Sequence, residues 1–312
     1  MSTVVRIGTR ASPLAQAQSR QMQARIAAAL GAPPEDANRV APLVLITTTG
    51  DRIQDRRLLE IGGKQLFTKE IEEALSDGRV DCAVHSMKDV PALMPPGLVI
   101  AAVPEREDPR DAFVSSRHET FDSLPERAVL GTASLRRQAQ MLRRRPDLQI
   151  VMLRGNVGTR VAKIEAGEAA ATLLAKSGLN RLGMADLARE LFDPVAAPPA
   201  PGQGALAIQT RKADSGADWL RGLHHRESEL AVAAERGALD ALEGSCRTAM
   251  GAHARLDGTR LNLIVEALTA DGRTCWRREG EAEVADLAAA IALGRELGGQ
   301  VRDEAGDLLE LG

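Results

Sequence analysis

The sequence predicts an α/β protein built from two successive α/β units, with a small α+β unit at its C-terminal end. Three observations carry this. Strand-like and helix-like segments alternate through the first hundred residues. The alternation restarts after Pro104. Beyond Met250 the period changes to two, with Asp-Gly turns between the segments. A chain of 312 residues is long for one core and suits two or three domains.

The first unit opens with a strand over residues 4–8. Ser12 and Pro13 then start a helix, with Ser12 as N-cap and Pro13 in the first turn; Gly31 ends it. A second strand spans residues 43–47. Residues 48–65 have no clear period, contain Gly50, Gly62 and Gly63, and read as a mobile loop. Thr68 is placed to cap a helix that ends at Gly78, with Ile71, Ala74 and Leu75 on one face. Residues 80–84 form a short buried strand.

In the second unit a strand ends at Val129 and Leu130, and Ser134 begins a helix reaching about Arg144. Residues 148–153 form a strand, and Val157, Val161 and Ile164 make the stripe of a helix that stops at Gly167. Residues 170–174 form another strand, and a helix follows Ser177. Residues 194–201 are rich in Pro and Ala and read as a connector. One more strand spans 205–210, and a long helix spans 227–242. Residues 250–256, 261–268 and 273–278 alternate as strands, with hairpin turns at Asp257-Gly258 and Asp271-Gly272. A helix over 284–297 closes the chain.

Charge and composition exclude several classes. A net charge of -3 argues against general affinity for polyanions. Aromatic residues are 2% and there is no Tyr, so stacking platforms for nucleic acid are absent. No apolar run spans a bilayer and no secretory signal opens the chain, which points to a cytoplasmic protein. Cys82, Cys246 and Cys275 are odd in number and widely spaced, which suits a reducing compartment. No phosphate-binding or dinucleotide glycine fingerprint occurs, and His224-His225 is not spaced for a metal.

The basic residues are lopsided: six of the 40 are lysine, leaving 34 arginines. Most scattered arginines are explained by compositional bias, but several sit beside glycines and hydroxyls in loops. Thr9-Arg10-Ala11-Ser12 and Gly131 to Arg137 both lie where a strand runs into a helix. Free backbone N–H groups, the helix dipole and guanidinium groups converge there on an anion. Arg154 to Arg160 combines glycines with forked donors, and Pro201 to Gly204 is a tight polar turn. Any one cluster is explained as helix capping or ion pairing; several at strand-to-helix turns favour a ligand with several carboxylates or phosphates. Lys64 adds a cation to the loop. His85 to Asp89 follows a buried strand, where α/β folds present ligand-facing residues. Asp89 reads equally well as an ion-pair partner or as a group that offsets a developing positive charge. Cys246, in a loop of small residues, is either filler or a covalent handle.

These segments, in this order, resemble the porphobilinogen deaminase family, also called hydroxymethylbilane synthases. The resemblance covers nearly the whole chain and rests on IGTRASPLA, GDRIQD, HSMKDVP, EREDPRDAF, GTASLRRQ, RPDLQIVMLRGNVGTR, PGQGA and LEGSC, which are collinear and at family-like spacings. It implies two domains like the halves of a periplasmic binding protein, with mostly parallel sheets and the active site in their cleft. It also implies a small C-terminal α+β domain with a three-stranded antiparallel sheet. The expected divisions are 1–104 with 203–222, 105–202, and 223–312, with a lid over 48–65.

The implied reaction joins four porphobilinogen units head to tail and releases four ammonia molecules. Hydrolysis frees hydroxymethylbilane, while a dipyrromethane cofactor stays bound through a thioether to Cys246. By match to the family's motifs, Asp89 is the catalytic carboxylate. Lys88, Thr132, Ser134, Arg136, Arg137, Arg154 and Arg160 bind the cofactor. Arg10, Ser12, Lys64, Phe67, Arg181 and Gln203 bind substrate or lie near it, Gln203 in the hinge. No metal, nucleic acid or membrane partner is implied, and the chain is expected to be a monomer. Ala133, Glu60 and Gln65 depart from the family's pattern. The rival readings are a non-catalytic binding protein for a polycarboxylate and, further off, an RNA-binding protein.

Overall fold

The computed structural model describes residues 3–52, 67–242 and 248–309. The chain divides into two compact units. The first comprises the described residues of 1–54, 63–107 and 205–229; the second comprises 108–204 and the described residues from 230 onward.

In the first unit, β1 (Ile7–Arg10), β2 (Leu43–Ile46), β3 (Cys82–Ser86), β4 (Leu98–Ala102) and β10 (Leu206–Arg211) form one sheet in the order β2-β1-β3-β10-β4. The β1–β2 and β1–β3 pairs are parallel, whereas β10 runs antiparallel to both β3 and β4. The sheet is therefore mixed, because the chain returns to it only after a hundred-residue excursion and enters from the opposite end. Both faces are covered. Cys82, Val84 and Ile208 pack with Met22 and Ile26 of α1 (Pro13–Ala29), while Ala83 packs with Ile71 and Leu75 of a helix at Lys69–Ser76. Alternate strand residues thus reach opposite cores, which is why this strand reads as a continuous apolar run.

Helix α1 begins as expected: the Ser12 side chain accepts from the Ala15 N–H. Thr68 does not cap the Lys69–Ser76 helix with its side chain; Glu70 in its first turn instead accepts from Thr49 N–H and Oγ1. Thr49–Arg52 is a helical turn inside the stretch read as irregular.

In the second unit, β5 (Asp111–Val114), β6 (Val129–Gly131), β7 (Gln149–Val151), β8 (Ala171–Ala175) and β9 (Glu190–Leu191) form a sheet in the order β7-β6-β8-β5-β9. It repeats the logic of the first sheet: β6 is parallel to β7 and β8, and β5 is antiparallel to β8 and β9. The same unit holds the antiparallel sheet β11 (Met250–Asp257), β12 (Arg260–Leu268) and β13 (Cys275–Glu283). The helices at Arg226–Ala241 and Leu287–Ala305 share a core with it. Gly294 permits their close approach: a methyl group there would meet the Ala234 carbonyl oxygen at 2.0 Å. The helix at Leu135–Arg144 joins the two sheets of this unit. Leu135 and Ala139 pack with Ala249 and Leu268, and Gln140 Nε2 donates to Glu266 Oε1 at 3.0 Å. No helix among the described residues is long and apolar enough to cross a membrane.

Candidate functional site

In the first unit, the ends of β1 and β3 and the start of α1 surround an open hollow. Arg10, Ser12, Phe67, His85, Ser86 and Asp89 line it. Four of the residues singled out in the sequence (Arg10, Ser12, Phe67 and Asp89) are therefore brought together, with Lys88 next to Asp89 in a short turn at Met87–Asp89. The Arg10 guanidinium sits over the Phe67 ring, 4.2 Å from its centroid, a cation–π contact that orients the cation. Gln18 Nε2 donates to Ser86 Oγ at 2.8 Å. Among the described residues none forms a hydrogen bond or ion pair with Asp89, so its carboxylate is available to a ligand.

His85 is 5% exposed. Its Nε2 lies 2.9 Å from Gln209 Oε1, and Gln209 Nε2 donates to Glu72 Oε1 at 3.2 Å. Burial pushes the imidazole pKa down to about 4; the Gln209 bond and Asp89 push the other way, and Arg10 adds to the lowering. His85 is thus neutral at pH 7. An unfolded chain takes up this proton near pH 6.5 while the folded one resists until about pH 4. This contribution to stability is complete above pH 6.5 and declines as pH falls from there towards 4. Full expression of the effect is worth roughly 3 kcal/mol. Urea midpoints measured at pH 7.5 and pH 5 are expected to show the loss, and His85→Gln is expected to flatten it.

In the second unit, Asp111 organises the other arginine cluster. Its Oδ1 accepts from Arg137 Nη2 at 2.7 Å and from Gln203 Nε2 at 2.9 Å; its Oδ2 pairs with Arg136 Nη1 at 2.8 Å. Arg136 also donates to Gln140 and the Pro198 carbonyl, and Arg137 to the Leu173 carbonyl. Asp111, Arg136, Arg137 and Gln203 are all buried. Burial alone would raise the Asp111 pKa, but the charges and hydrogen bonds of Arg136 and Arg137 outweigh it and hold the carboxyl far below the usual range. Asp111→Asn leaves two desolvated guanidinium groups without their counter-charge. It is expected to cost about 3–5 kcal/mol, measured by urea unfolding.

The neighbouring turns are built for capping and more. Ser134 caps its helix by accepting from the Arg137 N–H, and Thr132 Oγ1 accepts from the Ser134 N–H. Asn156 accepts from the Thr159 N–H, and Arg160 Nε donates to the Gly155 carbonyl. Gly155 holds φ +118, where a side chain would also strike Thr159. Arg154 Nη1 is buried with no hydrogen-bond partner among the described residues. Arg181 Nη2 donates to the Gly204 carbonyl.

Sequence reasoning assigned nothing to Asp111, Gln209 or Glu235, and gave His85 only a place in a segment read as ligand-facing. Glu235 is fully buried and accepts from the N–H groups of Gly202 and Ala254, pinning the Pro201–Gly204 turn to β11. The signal for Asp111 was an acid opening the apolar strand Asp111–Val114, inside the EREDPRDAF motif that carries the family resemblance. Lys64 and Cys246, like Glu60 and Gln65, lie outside the described residues.

Known proteins resemble the whole chain. Residues 5–218 match the family described as "Porphobilinogen deaminase, dipyromethane cofactor binding domain", and residues 229–303 match "Porphobilinogen deaminase, C-terminal domain". A porphobilinogen deaminase of Caulobacter sp. (strain K31) is 65% identical over 98% of both chains. Those of Caulobacter vibrioides (strain NA1000 / CB15N) and Phenylobacterium zucineum are each 63% identical, over 98% and 99% of this chain and 98% of their own. A periplasmic substrate-binding protein from Coxiella burnetii is similar in structure at TM-score 0.44 and 14% identity, over 70% of this chain and 90% of its own. With both family domains in order along one chain, and near-full-length relatives above 60% identity, this chain belongs to the porphobilinogen deaminase family.

Proposed function

We propose that the chain is a transferase that condenses four porphobilinogen molecules head to tail. Four ammonia molecules leave and hydroxymethylbilane is released, in tetrapyrrole biosynthesis. The observation that carries the reading is the hollow in which the Asp89 carboxylate, without a described partner, stands beside Arg10, Ser12 and Phe67. A pyrrole that has lost ammonia is electron-poor; a carboxylate beside it offsets that charge and accepts from its N–H. Arg10 and Ser12 take the substrate's carboxylates, and Phe67 fixes the guanidinium plane.

A dipyrromethane attached at Cys246 supplies, when bound, the pyrrole end to which new units are joined. Residues of the second unit fit such a group. The buried Arg154 Nη1 without a partner is the donor a carboxylate would complete. Thr132, Ser134 and Arg160 add polar groups in the same kind of turn. Arg136 and Arg137 already share Asp111, while Arg136 Nε is buried with no hydrogen-bond partner among the described residues, so their part is to hold the turn and its positive potential as well as to meet a ligand. Gln203 ties the hinge turn to the same carboxylate, and Arg181 ties it through the Gly204 carbonyl. Lys64 is assigned to the substrate by the family resemblance alone.

On this reading the protein is a cytoplasmic monomer of three domains, divided at 1–104 with 203–222, 105–202, and 223–312. Incubation of the purified protein with porphobilinogen tests the activity. Release of ammonia with hydroxymethylbilane is expected. Saturable binding without ammonia release would make the chain a carrier instead.

A further inference from the structure

We propose that His85 is a substrate-positioning residue: with its proton fixed on Nε2 by the chain His85–Gln209–Glu72, it presents Nδ1 as an acceptor to the aminomethyl ammonium of the incoming porphobilinogen. The inference rests on the reading above and adds the group that would hold the departing nitrogen.

Three observations lead to it. First, the tautomer is dictated from behind. Glu72 is an acceptor, so Gln209 turns its amide N–H towards it and its Oε1 towards His85. An imidazole facing that oxygen must donate, which puts the proton on Nε2. Second, the two ring nitrogens diverge, so Nδ1 points away from Gln209. Among the described residues it makes no hydrogen bond, and His85 is among the residues that line the hollow that holds Asp89. Third, the surroundings oppose a charge on the ring. It is buried with Arg10 nearby; the acids around it are Asp89 in the hollow and Glu72, which it meets only through Gln209. α1 contributes the uncharged Ser12, Gln18 and Leu14 to the same wall.

A neutral acceptor suits a site that must bind an ammonium and then release ammonia. A second carboxylate would hold the cation too tightly, and an imidazolium would repel it. His85 takes no proton in this role. The C–N bond breaks, its electron pair leaves with the nitrogen as ammonia, and the positive charge remains on the pyrrole facing Asp89.

Two isosteres separate the edges of the ring. Glutamine places its amide near Nε2, keeping the link to Gln209 and losing the Nδ1 acceptor. Asparagine places its amide oxygen near Nδ1 and loses the link. With cofactor-loaded protein of unchanged intact mass, His85→Gln is expected to remain folded and to lose about 10- to 100-fold in kcat/KM for porphobilinogen. His85→Asn is expected to stay within about fivefold of wild type, the difference that a weakly held acceptor makes. A His85→Gln protein with wild-type kcat/KM would overturn the inference, as would an Asn variant no better than Gln. Unfolding of His85→Gln would do the same, since the ring would then serve packing. Wild-type protein run alongside reports on the underlying reading: if it releases no ammonia, that reading fails, and if it turns over while His85→Gln matches it, only the His85 role fails.

Discussion

Asp89→Asn is expected to retain the covalent dipyrrole and lose at least about 100-fold in turnover of porphobilinogen. The substitution keeps size and shape and removes one negative charge. Asp89 sits in a half-buried turn after β3, without a described hydrogen bond or ion pair, so the fold does not depend on its charge. The cost therefore falls on the reaction. The pyrrole becomes positive only as ammonia leaves, so the carboxylate acts more strongly on the transition state than on bound substrate. The loss should appear in kcat more than in KM. Turnover within a few-fold of wild type, measured on protein of unchanged mass and melting temperature, would remove Asp89 from its assigned role.

Cys246→Ala is expected to abolish both the extra mass of two linked pyrroles and the activity. Alanine offers no sulfur to form the thioether, and no other cysteine is fitted to replace it. Cys82 is fully buried in β3, and burial raises its pKa far above the ordinary thiol value. Cys275 at the start of β13 is half-buried, and burial followed by the charge of Glu266 pushes its pKa to about 11. Both hold little thiolate at neutral pH, and the thiolate is the nucleophile. Intact mass spectrometry of purified wild-type and variant protein reads the result directly. A wild-type mass equal to that of the bare polypeptide in active protein would overturn the assignment of Cys246.

The arginine loops illustrate how far a one-dimensional reading reaches. The helix starts at Ser12 and Ser134 were legible because a cap is a local event: each accepts from an N–H three residues on, as does Asn156, which was not named as a cap. The same loops were read as anion sites, and three-dimensional packing divides them. Arg10 rests on Phe67 in the hollow, and Arg154 keeps a buried donor without a partner. Arg136 and Arg137, by contrast, are consumed in part by Asp111, which lies about 25 positions earlier in the chain. Nothing in the local pattern distinguishes an arginine awaiting a ligand from one that already has a carboxylate. Thr68 shows the same limit on a smaller scale: its residue type fits a cap, but its backbone conformation does not deliver the bond.

By itself the sequence determined the alternation of strands and helices and the antiparallel character of the last sheet. It also located the loops where positive charge collects, since periodicity, capping and turn chemistry all act within a few residues. The collinear motifs placed the chain in its family. Only the tertiary structure decided that β10 enters the first sheet antiparallel between β3 and β4, and so carries Gln209 to His85 across 124 positions of chain. It likewise decided that Asp111, Arg136, Arg137 and Gln203 form one buried knot, and that Glu72 orients an amide on another element. Such contacts depend on which groups are desolvated together. A buried polar atom must find a partner wherever the fold supplies one, and sequence distance does not enter into that requirement.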